Sequence, residues 1–105
     1  MMFMISYVPA TEDPETIERF EAAVKLLGNW SNALAQRNVW LAASRMSAPQ
    51  IRDQLKTFIN ADKVDRLFVA RISQNWAGTN MTPNFPDWLN RQDFGQFSNP
   101  VSSDS

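Results

Sequence analysis

The chain has 105 residues, 44% hydrophobic and 20% charged, with a net charge of −1 and neither cysteine nor histidine. That length suits one domain with one core and a thin stability margin. The missing residue types exclude disulfides, thiolate metal sites, Ser-His-Asp triads and His-ligated zinc or iron, leaving acid–base work to Asp, Glu, Lys or Tyr and metal work to carboxylates holding magnesium, manganese or calcium.

The first apolar run, residues 3–8, is too short for a lone helix and reads as a strand. Phe3, Ile5 and Tyr7 point to one side and Met4, Ser6 and Val8 to the other. Both sides are largely apolar, which predicts a central strand covered on both faces. Pro9 then stops the ladder.

The stretch TEDPETIERFEAAVKLLG predicts a helix. Asp13 can cap it, with Pro14 at the first position, where a missing N–H costs nothing. Ile17, Phe20, Val24 and Leu27 recur at helical spacing, and Gly28 can close the end. Glu12, Glu15 and Glu18 suit the positive end of the helix dipole, so the acidic cluster reads as capping rather than as a metal site.

Residues 30–35 form a candidate short strand, with a turn near Gln36-Arg37, and residues 38–44 predict a second strand. In the latter, Val39, Leu41 and Ala43 share one side, and Trp40 and Ala42 the other. SAPQIRDQLKTFI is the clearest helix signal. Ser47 and Gln50 have capping-box spacing, and Ile51, Leu55, Phe58 and Ile59 form an apolar stripe. Residues 65–73 predict the last strand, with Leu67 and Val69 on one side and Phe68, Ala70 and Ile72 on the other.

The segment that follows carries Trp76, Phe85, Trp88 and Phe94 among turn residues, with a helical turn expected at residues 86–89. Such large apolar groups are expected to cover a sheet face or edge. The division is one domain over residues 1–93, including this aromatic extension, and a flexible tail over 94–105.

Strand, helix, two strands, helix, strand makes an α+β fold of the ferredoxin-like kind: a βαββαβ antiparallel sheet with two helices on one face. The second face needs cover, from the aromatic extension or from a second copy of the chain, so a homodimer is expected. No run approaches the ~20 apolar residues of a membrane span, and no signal-peptide pattern opens the chain, so the expected location is cytoplasmic.

Four stretches carry a family resemblance: MISYVP, LLGNW, RNVWLAAS and APQIRDQLKTFINADKVDRLFVARI. In order and spacing, over about residues 2–89, the chain resembles the CRISPR-associated small adaptation-nuclease superfamily, which includes the virulence-associated protein D toxins. That resemblance implies a ferredoxin-like homodimer. Some members cut RNA or DNA with a magnesium ion held between subunits, and others serve only as scaffolds for DNA and protein partners. In the cutting members the first strand ends in Tyr-Asp, and the two Asp residues meet near the two-fold axis. Tyr7 matches that tyrosine, but Val8 stands where the Asp would be and cannot bind magnesium.

Tyr7, Glu12 and Asp13 are the candidates for any surviving catalysis. For Tyr7 the structural alternative is a buried strand tyrosine bonded to backbone. Arg37, Arg45, Arg52 and Lys56 are the candidate phosphate-binding set, against the plainer reading of a solvated surface. No resident cofactor is expected; magnesium enters only with a nuclease. Three functions stay open: a non-catalytic dimeric scaffold for nucleic acid or protein, a magnesium-dependent endoribonuclease, and a protein-interaction module without a nucleic-acid role.

Overall fold

Strand β1 (Met2–Val8) occupies the middle of the sheet, as its two apolar faces require. The structure is a computed structural model that describes residues 1–11, 13–32, 38–59 and 64–95. After β1 come helix α1 (Pro14–Lys25), strand β2 (Trp30–Ser31), strand β3 (Val39–Ala43), helix α2 (Ala48–Leu55), a 3₁₀ turn (Lys56–Phe58), strand β4 (Arg66–Ile72) and helix α3 (Phe85–Asn90). The sheet is antiparallel in the order β2-β3-β1-β4, which is ferredoxin-like topology.

The local signals work as the sequence suggests. Asp13 caps α1, its carboxylate accepting from the Glu15 N–H at 3.1 Å, with Pro14 at the first helical position. Ser47 and Gln50 complete a capping box at α2. Gly28 lets the α1–β2 loop press on β3, because a Cβ there would stand 2.6 Å from the Ala43 carbonyl oxygen.

Two apolar clusters lie on opposite faces of the sheet. On the first face Phe3, Ile5 and Tyr7 of β1 and Trp40 and Ala42 of β3 meet Ile17, Phe20 and Val24 of α1 and Ile51 and Leu55 of α2. Phe20 is the hub, 4.3 Å from the Tyr7 ring and 5.2 Å from Trp40. The buried Trp40 indole N–H donates to Glu21 at 2.7 Å, so its polar atom is satisfied. On the second face the aromatic extension folds back. Phe85 and Leu89 of α3 and Phe94 pack on Met2 and Leu41, with Trp76 and Trp88 around them.

Four expectations need adjustment. The strand expected over residues 30–35 is present as Trp30–Ser31, and residues 33–37 lie outside the described ones. Phe58 was expected in the α2 stripe but is 38% exposed. It falls in the 3₁₀ turn, whose three-residue period carries it off a 3.6-residue stripe. Phe94, placed at the start of the flexible tail, is buried, so the packed structure extends past residue 93; residues 96–105 lie outside those described. Among the described residues, the extension covers the second face at one end only.

That last point follows from register. Across the second face the rows are Ala43–Met2–Ile72, Leu41–Met4–Ala70 and Val39–Ser6–Phe68. The first row lies under α3. At the far end Phe68 is 59% exposed and Val8, opposite Arg66, is 49% exposed. No helix among the described residues is long and apolar enough to cross a membrane.

Candidate functional site

The end of β1 is where the family resemblance would place chemistry. Tyr7 and Val8 leave the strand on opposite faces, Tyr7 into the helix-side core and Val8 onto the open face. Asn38 fixes this end: its side-chain amide donates to the Tyr7 carbonyl at 2.8 Å, and its carbonyl accepts from the Tyr7 N–H at 3.0 Å.

The Tyr7 hydroxyl bonds to a side chain, not to backbone as its place in a buried strand suggests. It donates to Asp65 Oδ2 at 2.8 Å, while the Ala10 N–H donates to Asp65 Oδ1 at 2.8 Å. Both carboxylate oxygens thus tie the end of β1 and the loop after it to the start of β4. Val64, at φ 61°, makes the turn that delivers Asp65. A β-branched residue is strained there by about 1–2 kcal/mol, which the Asp65 contacts offset.

Asp65 and Tyr7 line a pocket of about 280 Å³ with Arg19, Thr16 and Thr57. Its hydroxyls are committed locally: Thr16 donates to Asp13 and Thr57 to the Gln54 carbonyl. Burial first, then the Asp65 hydrogen bond and charge, push the Tyr7 phenol up from 10.0 to about 12, against a smaller opposing pull from Arg19. Tyr7 is therefore a firmly protonated donor at neutral pH rather than a general base.

This has a pH consequence. The phenol is harder to ionise when folded, so the folded state holds its proton longer than the unfolded chain. Its contribution is complete below pH 10 and is lost as pH rises from about 10 to about 12. Tyr7 is the only tyrosine, so phenolate absorbance reports it alone. The native protein is expected to titrate near 12, and urea-unfolded protein near 10. A native midpoint at 10 would disprove the buried Tyr7–Asp65 pair.

The other sequence candidates separate. Asp13 is engaged as the α1 cap, and Glu12 lies outside the described residues. Among the described residues no three carboxylates gather in a way that could hold a metal ion. Arg52 and Lys56 are both exposed, four positions apart, and Arg52 pairs with its neighbour Asp53 at 2.9 Å. Arg52 lines a shallow groove with Ala48, Leu67 and Phe68. Arg45 lies elsewhere, in the β3–α2 loop, and Arg37 lies outside the described residues.

Arg45 instead lines an open cleft of about 660 Å³ at the other end of the sheet, with Arg91, Asn29, Gln92, Ser44 and Asp93. Sequence reading missed Arg91 and Asp65 as site residues. Asp65 is 58 residues from the group it holds, and Arg91 reaches Arg45 only because α3 folds back on the sheet. No local pattern signals either.

No protein-family model matches the chain, and no curated protein matches it. What the structure shows is an α+β fold with a four-stranded antiparallel sheet, and no family is assigned to the chain.

Proposed function

We propose that the chain is a non-catalytic homodimeric scaffold that binds nucleic acid or a protein partner. One observation carries the dimer: the open end of the second sheet face, where Val8 and Phe68 are both about half exposed. Large exposed apolar groups at the end of a central strand and an edge strand mark an interaction surface. The occupant is a second copy. The patch lies at the end of the sheet away from α3, and a two-fold axis over it sets Val8 and Phe68 against their own counterparts, a self-complementary arrangement. The family resemblance implies an axis at this same strand end. Burying each Phe68 would contribute about 1.5–3 kcal/mol.

The non-catalytic part rests on Val8 in place of the metal-binding Asp and on the full engagement of Asp65 and Asp13 by backbone and hydroxyl donors. Light scattering tests the dimer. The wild type is expected at twice 12.0 kDa, and Phe68→Glu at 12.0 kDa with an unchanged circular dichroism spectrum. A monomeric wild type at tens of micromolar would overturn it. Incubation with RNA and DNA tests the rest: cleavage that magnesium supports and a chelator stops would refute a scaffold without catalysis.

A further inference from the structure

We infer that the cleft between the β3–α2 loop and the C-terminal end of α3 is a phosphate-ester binding site, gripped by Arg45 and Arg91. This deepens the scaffold reading, on which it rests for a nucleic-acid partner, by giving the ligand a chemistry and a place.

The cleft has a volume of about 660 Å³ and is open to solvent. Its two guanidinium groups come from segments 46 positions apart, Arg45 just beyond β3 and Arg91 at the C-cap of α3. Both are exposed, and neither makes an ion pair among the described residues. Arg52, by contrast, is already paired with Asp53. Two unpaired arginines on one cavity offer planar forks of donors, the geometry that matches phosphate oxygens.

The rest of the cleft fits the same ligand. Asn29 donates to Gln92 across it at 3.2 Å, tying the α1–β2 loop to the segment after α3 and holding the walls in place. The one acidic side chain, Asp93, has Oδ1 accepting from the Gly95 N–H at 2.8 Å. The walls also present Leu27 and Met46, apolar surface against which a base or sugar can lie. A single inorganic anion would leave most of this volume empty, whereas a nucleotide or a strand of nucleic acid would use it. The site lies at the opposite end of the sheet from Val8, since Ala43 and Met2 pair at this end and Val8 and Arg66 at the other.

The phosphate could belong to a nucleic-acid strand or to a free nucleotide, and two arms separate them. Fluorescence anisotropy with a labelled single-stranded DNA dodecamer at low salt reads the first, and calorimetric titration with AMP the second. In whichever arm binds, Arg45→Ala and Arg91→Ala are each expected to weaken affinity at least tenfold, while Arg52→Ala changes it less than twofold. Binding to the dodecamer should also weaken steeply with salt. All three side chains are exposed, so circular dichroism should be unchanged in every variant. Absence of binding in both arms, or equal losses in all three variants, would overturn the inference. A dimer that binds neither probe refutes the cleft and leaves the dimer standing; a monomer that binds through Arg45 and Arg91 does the reverse.

Discussion

Phe20→Ala is expected to cost about 3–5 kcal/mol, the range for truncating a fully buried aromatic side chain. Phe20 is fully buried, and its ring stacks on Tyr7 of β1 and lies tilted against Trp40 of β3. Removing it opens a cavity under α1 at the point where the helix meets the two central strands. Neither neighbour can move to fill the space. Tyr7 is held through its hydroxyl by Asp65, and Trp40 through its indole N–H by Glu21. A site that cannot relax sits at the costly end of the large-to-small range. For a domain of this length the loss corresponds to a fall in Tm of about 12–30 °C. Thermal unfolding by circular dichroism checks it, and a drop of under 5 °C would show that Phe20 is not the hub of the core.

The contacts that make Phe20 costly are also those the sequence displays least. Its place on the buried stripe of α1 is legible from spacing with Ile17 and Val24. The inward set of β1 follows from alternation, and the capping at Asp13 and Ser47 from residue type and offset. These are local rules, and they hold. What is not legible is which distant polar group answers which buried one. Nothing near Glu21 indicates that it receives the Trp40 indole, and nothing near Asp65 indicates Tyr7. Such pairings follow from three-dimensional register, which short-range patterns do not encode. The aromatic extension shows the same limit. Its bulk says that it must pack, but only the fold shows that it covers the Met2 and Leu41 end. The candidate site inherits this division. Val8 is legible as the end of the first apolar run, whereas the Arg45–Arg91 cleft depends on a return of the chain that no motif announces.

Val8→Asp is expected to break the proposed dimer without creating a metal-dependent nuclease. Two carboxylates facing each other near a two-fold axis, at an assumed separation of about 6 Å and an effective dielectric constant of about 20, repel by about 3 kcal/mol, or roughly a hundredfold in dimer affinity. The monomer should be unharmed. Val8 is half exposed at a strand end, and its cross-strand neighbour on β4 is Arg66, which can pair with a carboxylate for about 0.2–1 kcal/mol. That same neighbour is why metal chemistry should not arise. A guanidinium directly across the strand pair competes with magnesium for the new carboxylate, and it adds positive charge where a divalent cation would have to sit. Tyr7 offers no help, since it points to the other face with its hydroxyl committed to Asp65. The expected result is a stably folded monomer by light scattering, with no chelator-sensitive cleavage of RNA or DNA. A Val8→Asp, Arg66→Ala double variant removes the competing cation. Should magnesium re-dimerise the double variant but not the single one, Arg66 is the group that keeps this strand end free of metal. Magnesium-dependent cleavage by the single variant would overturn the argument, showing a metal site intact but for one residue.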